Sequence, residues 1–526
     1  MGSGAAYLAA RYGLGVLVGV GNMLVLTWWI GPHAYGLFVT AIGLVSFFAS
    51  IARLGVDTFL VRREPSPDPQ LYAVAGTLVL AFSVMVMATG AAVIPLLTHW
   101  FGNHEFVAPY LVLLLSIPVI GLTGIPTAKL ERELQFRRAA QIELASQLVG
   151  LTISFFLAWR GFGVWAAVAG QTAWQLSLLI FASAYSRLPF TLRIDLPEMR
   201  RMLAYGAGIT LSLRIWQLRT LVNPLLVGRF VGTEGVAFVA LAIRIAEALG
   251  AIRQAAGRVA IASLSRLQHD SDALMRTLEE SLRLQIILLG PLLCTFTFVG
   301  PFVVNHLVGS RWTPSLNVYP FVALGVLVNS VYNLQASALF VRGATRVVTR
   351  AYFMHVALLG VGTYLLLPRL GIVGYAWAEL AACGGYAWIH RAFTGFVSYR
   401  KLAPWTLLFS VLLFLPRAIG NRAALLLTGT VAVVAGLAWT HMAKPRTVWR
   451  RMARTMRPTS CILAFSLLSL SVHPDFMPTL RQVFSLKSKL FRRRFSECIF
   501  DWTRLTGPAF RLQRCVYGTP TQTGKG

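Results

Sequence analysis

The segment WWIGPHAYGLF, residues 28–38, separates two long apolar stretches by a short turn that contains two glycines. Residues 7–30 precede the turn and residues 36–60 follow it. Each stretch is long enough to cross a hydrocarbon core of roughly 30 Å as a helix. Helices are the default spanning element because they satisfy their own backbone hydrogen bonds in lipid. The segment therefore predicts a transmembrane helical hairpin.

The same pattern recurs along the chain. Hydrophobic residues make up 56% of the 526 positions and charged residues 13%, whereas soluble domains carry roughly 25% charged residues. Apolar runs of spanning length continue as far as residue 441 and include 203–228, 235–258, 371–394 and 423–441. They predict an all-α polytopic membrane protein with about 14 transmembrane helices. The five cysteines lack metal-type spacing, and no GxxxxGK[ST] loop occurs. Neither a cofactor nor a nucleotide-driven pump is expected.

Arginine and lysine concentrate in alternate predicted loops. The loop after the second span carries Arg62 and Arg63, and the loop after the fourth carries Lys129, Arg132 and Arg138. Positive charge marks the cytoplasmic side of a membrane protein, so both termini are predicted to be cytoplasmic. This topology and a basic tail account for much of the net charge of +29, and no nucleic-acid partner is expected.

Glycine turns repeat at a near-constant spacing, which predicts two similar halves. The paired turns contain Gly31 and Gly36, then Gly232 and Gly235, and likewise Gly161 and Gly163, then Gly371 and Gly374. We predict a six-helix lobe over 1–200, a second over 201–400, an extra helix pair over 401–441 and a basic cytoplasmic tail over 442–526, disordered or interfacial. Six spans per lobe make the lobes parallel, and parallel repeats are typical of transporters with a site between the halves.

Ionisable side chains within predicted spans are costly in lipid and are therefore candidate functional residues. The substrate-binding candidates are five arginines and one amide, namely Arg11, Arg53, Arg214, Arg219, Arg244 and Asn223. Three carboxylates are candidates for coupling to a proton or sodium gradient, namely Asp57, Glu143 and Glu247. No catalytic residue and no metal ligand is predicted.

Most of these residues also have a purely structural explanation. Arg11 and Arg53 lie where they can snorkel to the interface, and a carboxylate one turn away can simply neutralise an arginine. Arg214 and Arg244 lie deeper in their spans, which favours a water-filled cavity between the halves. Guanidinium groups bind phosphate and carboxylate through paired hydrogen bonds. The cargo is therefore expected to carry an anionic group.

Several segments resemble one family of exporters. They are WWIGPHAYGLF (28–38), LGVDTFLVRRE (54–64), IPTAKLERELQFRRAAQIELASQLVG (125–150), GFGVWAAVAGQ (161–171) and LGIVGYAWAEL (370–380). Over roughly residues 1–440 the chain resembles the polysaccharide (Wzx-type) flippase branch of the multidrug/oligosaccharidyl-lipid/polysaccharide (MOP) exporter superfamily. Residues 442–526 are unlike that family.

The resemblance implies 12 or 14 helices in two lobes around a cationic cavity. It also implies that the substrate is an undecaprenyl-pyrophosphate-linked oligosaccharide, moved by alternating access across the bacterial inner membrane for surface or exopolysaccharide biosynthesis. The implied partners are the lipid-linked oligosaccharide, membrane lipids, and polysaccharide polymerase and assembly proteins. There are two alternatives. One is a cation-coupled drug antiporter of the same superfamily. The other is a membrane enzyme of polysaccharide assembly, although no predicted external loop is large enough to hold the active site of such an enzyme.

Overall fold

A computed structural model describes residues 2–64, 67–188, 191–209, 211–251, 271–393 and 402–419. Every regular element in these ranges is helical. The helices of the first part are α1 Gly2–Ala52, α2 Val56–Arg62, α3 Pro69–Ala92, α4 Ile94–Phe101, α5 Val107–Leu114, α6 Ser116–Arg132, α7 Phe136–Trp159 and α8 Val164–Ser186. They are followed by α9 Leu196–Ile209, α10 Leu211–Gln217, α11 Arg219–Val222, α12 Gly228–Phe230, α13 Thr233–Leu249, α14 Ser271–Val303, α15 Ser315–Val341, α16 Thr345–Leu370, α17 Ile372–Ala382, α18 Ala387–Phe393 and α19 Ala403–Ile419.

Eight helical segments of the described chain are long and apolar enough to cross a membrane. Seven of them each correspond to one predicted span, and the eighth, Val18–Ala52, covers the first two, because α1 consists of two helices joined at a kink at Gly31. The predicted polytopic all-α class is confirmed. Other spans are built from shorter pieces: α9 to α12 cover the region predicted as 203–228, and α17 and α18 cover 371–394. The second helix of the predicted C-terminal pair, residues 423–441, and the tail 442–526 lie outside the described residues.

Four hairpin turns place a glycine in the same unusual backbone conformation. Gly31 has φ 73° and ψ 173°, and Gly232 has φ 89° and ψ −177°. Gly163 and Gly371 both have φ 56°, with ψ −127° and −142°. This region of positive φ and extended ψ is essentially reserved for glycine. Two of these turns lie in each predicted half and at matching places, which supports the predicted repeat.

The two predicted halves touch at the end marked by Gly31 and Gly232, called the hairpin end below. Gly36 of α1 packs directly on the backbone carbonyl of Thr233 in α13, with no room for a side chain. The indole Nε1–H of Trp312 donates to the carbonyl of Thr27 at 3.0 Å. Trp100 donates in the same way to the carbonyl of Leu225 at 2.9 Å. Each contact joins the first half to the second.

The halves also touch at the opposite end, where the predicted second span is interrupted. The helix stops at Ala52, and Leu54 and Gly55 adopt positive φ values of 54° and 74° before α2 begins. Gly206 of α9 packs against the carbonyl of Leu54 without space for a side chain. The sequence predicted an uninterrupted helix over 36–60; this neighbouring backbone stabilises the break instead.

An ion pair adds to the contacts at the opposite end. Arg63, directly after α2, makes a two-pronged ion pair with Glu198 in the first turn of α9, at 2.9 and 3.1 Å. Arg132 of α6 donates to the carbonyls of Leu60 and Val61, both at 3.0 Å, and so caps the C-terminus of α2. Paired guanidinium–carboxylate bonds are among the stronger polar contacts of proteins, so α2 is held firmly against both α6 and α9.

Buried apolar side chains form three clusters. The largest involves mainly α13 to α19 and includes Leu26 and Tyr35 of α1. Two smaller clusters belong mainly to the first half, one around Leu44 and Ile117 and the other around Leu60 and Ile125. The participation of α1 in the core of the second half means that the first hairpin packs against both halves.

Candidate functional site

Arg244 lies on the part of α13 that the rest of the protein leaves uncovered. It is exposed, as is Glu247 one turn further, whereas Leu241, Ile245 and Ala246 on other faces are buried. Arg244 follows the Gly232 turn by about 18 Å of helix, at 1.5 Å per residue. It interacts electrostatically with the hydroxyl of Tyr35 in α1. Arg244 is carried by a helix that contacts the first half, because Gly36 of α1 packs on Thr233 at the start of α13.

The other arginines predicted to bind substrate occupy different environments. Arg214 is half-buried on α10, and its Nε atom is enclosed without a hydrogen-bond acceptor. Arg53 is exposed in the turn between α1 and α2, not inside a continuous helix as predicted. The backbone of Arg11 lies in α1, and its side chain lies outside what the structure describes.

Arg219 forms an ion pair with a residue that the sequence interpretation missed. Its guanidinium contacts the carboxylate of Glu379 on α17, whose side chain is only 4% exposed. The Tyr375 hydroxyl donates to the other oxygen of this carboxylate at 3.4 Å. Glycine at 325 leaves the space that the Glu379 side chain occupies, because a Cβ there would lie 3.2 Å from it. Glu379 is the one acidic residue of the predicted span 371–394, which was the available signal.

Aromatic rings surround this ion pair on the side of α16. The Trp216 ring lies 5.6 Å from the Arg219 guanidinium, 4.8 Å from Tyr352 and 5.0 Å from His355. The Tyr386 ring lies 5.0 Å from His355, and its hydroxyl receives a hydrogen bond from the Asn329 amide at 2.6 Å. The helix pieces α10 and α11 are thereby attached to α15, α16 and α17. This cluster lies within the second half.

Asn223 begins a short π-helical segment, Asn223–Val227, in which Pro224 supplies no backbone N–H. The side chain of Asn223 is buried, and its Nδ2 donates to the carbonyl of Val236 on α13 at 3.2 Å. Its Oδ1 is enclosed without a donor. Asn223 thus joins the two helices of the hairpin that opens the second half.

The three carboxylates predicted to couple an ion gradient belong to three different helices, α2, α7 and α13. Asp57 is at the start of α2, accepts from the Thr58 backbone N–H at 2.7 Å and interacts electrostatically with Glu131. Glu143 is exposed on α7. Glu247 interacts electrostatically with Arg219 and thus lies near the Glu379 cluster. Among the described residues, no group of three or more His, Cys, Asp or Glu could hold a metal ion.

Comparison with known proteins gives consistent results. The family model described as "Polysaccharide biosynthesis protein" matches residues 25–317. The succinoglycan biosynthesis transport protein ExoT of Rhizobium meliloti is 24% identical over 310 residues, which cover 57% of this chain and 60% of ExoT. The chain therefore spans less than two thirds of that relative.

Two solved structures share the fold. The lipid II flippase MurJ, in an inward closed conformation, is 14% identical with a TM-score of 0.68, covering 86% of this chain and 99% of MurJ. A multidrug resistance MATE family transporter of the MOP superfamily, in an inward-facing conformation, is 16% identical with a TM-score of 0.56, covering 73% of this chain and 95% of that protein. These similarities confirm the predicted MOP-exporter fold.

Proposed function

Because the chain belongs to the family of polysaccharide biosynthesis proteins that its residues 25–317 match, we propose that it is a flippase for a lipid-linked oligosaccharide. In this proposal it moves an undecaprenyl-pyrophosphate-linked repeat unit across the bacterial inner membrane by alternating access, with both termini cytoplasmic. The names of the relatives support the class of cargo: ExoT is a succinoglycan transport protein, and MurJ is a flippase for lipid II.

The observation that carries the proposal is the exposed side chain of Arg244 on α13, inside a segment that the sequence predicts to span the membrane. A charged side chain that faces hydrocarbon is expensive, so such residues normally face an aqueous cavity. A cavity between the halves at Arg244 accounts for its exposure. A guanidinium in that cavity suits a pyrophosphate because it can offer paired N–H donors to phosphate oxygens.

Arg214, Arg53 and Arg11 extend this cationic surface in the proposal, with one pair of arginines from each half. The pyrophosphate is held by these groups while the prenyl chain stays in lipid at a lateral gap between the lobes, residues 1–200 and 201–400. Arg219 and Asn223 were also predicted to bind substrate, but Arg219 is neutralised by Glu379 and Asn223 bonds to the Val236 carbonyl, both within the second half. Polymerase and assembly proteins are the expected downstream partners.

Contacts between the halves at both ends support alternating access. Gly36 meets Thr233 at the hairpin end, and Gly206 meets Leu54 at the opposite end. A carrier must release one set of contacts while it keeps the other, so that the cavity opens to one side at a time. In this proposal a proton or sodium ion couples to this change at Asp57, Glu143 or Glu247.

A cation-coupled drug antiporter is the second candidate, favoured by the likeness to the MATE fold and by the buried carboxylate of Glu379. Against it, Arg219 already neutralises that carboxylate.

The test of the flippase proposal is the double variant Arg214→Ala, Arg244→Ala. It is produced in a strain whose own gene for this protein has been deleted, and surface polysaccharide is measured. We expect loss of polysaccharide and unchanged drug sensitivity.

The control is Arg369→Ala, an exposed arginine just before the Gly371 turn. It removes a positive charge outside the proposed cavity, and polysaccharide should stay at the parental amount. Full polysaccharide in the double variant, at matched protein levels, would reject the cationic cavity. A rise in drug sensitivity with intact polysaccharide would instead favour the antiporter.

A further inference from the structure

A groove of about 470 Å³ lies between α7 and α8. Its lining includes Arg138, Gln141 and Ala145 of α7 and Phe181 and Tyr185 of α8. The volume is within the range of roughly 300–1,000 Å³ that small-molecule sites occupy. Both helices are largely uncovered by the rest of the protein, with only 22% of their most apolar stretch buried. The groove therefore faces the lipid.

The groove follows from the way the two helices pack. Nearer the hairpin end, Gly150 and Gly170 bring the backbones together: a Cβ on Gly150 would lie 2.8 Å from the Gly170 carbonyl oxygen. Toward the opposite end the groove contains no such glycine pair. Phe181 and Tyr185 have large side chains there in place of glycine. The short side chains of Ala145 and Ala184 leave the space between these rings and α7 unfilled.

The lining changes from polar to apolar with depth. Arg138 lies in the first turn of α7, Gln141 follows one turn later, and Tyr185 lies at the end of α8. Ala145 lies about 10 Å deeper than Arg138, at 1.5 Å per residue, and Phe181 lies one turn deeper than Tyr185. A ligand that fits this lining has a polar head and an apolar tail.

The polar end is cationic. The Arg138 guanidinium lies 4.7 Å from the centre of the Tyr185 ring and gives one hydrogen bond to Gln135 at 3.2 Å. A guanidinium has five N–H donors in a fork that matches phosphate. The groove lining includes no acidic residue: Glu143 of α7 lies about 140° around the helix from Arg138 at 100° per residue, and Glu133 accepts a hydrogen bond from Gln135 outside the lining. The charge of the groove thus favours an anionic head.

We propose that this groove binds one anionic glycerophospholipid, with its phosphate on Arg138 and an acyl chain along Ile142, Ala145 and Phe181. A neutral lipid would fill the apolar part equally well, but it would leave the guanidinium without a counter-ion. The positive-inside pattern places this end of α7 and α8 at the cytoplasmic leaflet, where anionic lipids attract basic residues. The site is separate from the proposed transport of oligosaccharide.

The test uses the full chain reconstituted into vesicles of phosphatidylcholine with phosphatidylglycerol, extracted gently and measured for retained lipid by native mass spectrometry. Arg138→Gln removes the charge, and Ala145→Phe fills the apolar part. Matched controls are Arg160→Gln, whose guanidinium lies over the Phe156 ring at the other end of α7, and Leu148→Phe, an exposed position of α7 outside the groove lining.

The parent protein and both controls should retain phosphatidylglycerol in preference to phosphatidylcholine. Arg138→Gln should lower that preference about fivefold, the factor that one basic residue contributes beside an anionic leaflet, and Arg138→Lys should restore part of it. Ala145→Phe should lower the retention of both lipids. Equal retention in all variants, an equal loss in Arg160→Gln, or a retained mass that corresponds to a polyprenyl-linked lipid would each overturn the proposal.

Discussion

Gly36 of the first half lies directly against the backbone carbonyl of Thr233 in the second, with no space between them for even a methyl group. This contact lies one turn beyond the glycine turn of the first hairpin and at the start of α13. Contacts between backbones require small residues, and in membranes such residues let helices approach closely. The position is therefore a sensitive place to disturb closure at the hairpin end.

Alanine at position 36 should disfavour the closed hairpin end. The added methyl group would overlap the Thr233 carbonyl, and overpacking of this kind costs about 1–3 kcal/mol. We expect a lower thermal midpoint of the purified protein and less surface polysaccharide in complementation. Gly21→Ala is the control, on the other helix of the same hairpin, because a methyl group there meets nothing within 4 Å. Equal behaviour of the two variants would contradict the role given to the contact.

Alanine at position 206 should disturb the opposite end in the same way. The methyl group would overlap the Leu54 carbonyl and would separate α9 from the break after Ala52, again at a cost of about 1–3 kcal/mol. A cysteine at Arg53 should then react faster with a water-soluble alkylating reagent. Gly76→Ala, which meets open space, should leave that rate unchanged. A rate that rises equally in the control would speak against closure at this end.

Removal of either partner of the Arg219–Glu379 pair should destabilise the protein strongly. A buried charge left without its partner costs about 3–5 kcal/mol, so Glu379→Gln or Arg219→Met should each lower the thermal midpoint sharply. The double variant Arg219→Met, Glu379→Leu should recover most of the loss, because a well-packed apolar pair is often neutral. Glu234→Gln, an exposed position on α13, serves as the control.

The same double variant separates stability from transport. Recovered stability together with absent polysaccharide would mean that the charge of Arg219 acts on the cargo, as the sequence predicts. Recovered stability with normal polysaccharide would mean that the pair only holds α11 to α17. If the double variant is no more stable than the single ones, the coupling between the two side chains is refuted.

Trp312→Phe should weaken the contact between the halves at the hairpin end while an aromatic ring still fills the space. Trp312 is 1% exposed, its Nε1–H bonds to the Thr27 carbonyl, and its ring lies 5.5 Å from Tyr35. Phenylalanine keeps an aromatic ring but leaves that carbonyl without this donor, at a cost of about 1–3 kcal/mol. Trp165→Phe, at an exposed ring, should change the thermal midpoint little. A larger shift at 165 than at 312 would be evidence against the bond.

The sequence predicted features that depend on local pattern. Apolar length identified the spanning helices, and the glycines at 31, 163, 232 and 371 identified turns whose backbone only glycine adopts readily. The same glycines are the basis on which two similar halves are predicted. Fold class and family could therefore be predicted before any coordinates were known.

Features that depend on distant partners could not be predicted in this way. Glu379 is 160 residues from Arg219 along the chain, and nothing in either segment indicates that they pair. The break at Leu54 and Gly55 was missed because one glycine within an apolar run is a weak signal, and the packing of Gly206 on the Leu54 carbonyl is a distant contact. Arg244 and Arg214 remain predictions as substrate ligands.

The span that carries Arg214 and Arg219 is not one regular α-helix. Leu218 is a turn between α10 and α11, and a π-helical segment follows at Asn223–Val227. A continuous helix moves as one rigid piece, whereas an interrupted helix can bend where it is interrupted. Arg214 and Arg219 lie on opposite sides of Leu218. Regular helical structure is interrupted on both sides of Arg219, so this span is expected to bend there more easily than an uninterrupted helix would.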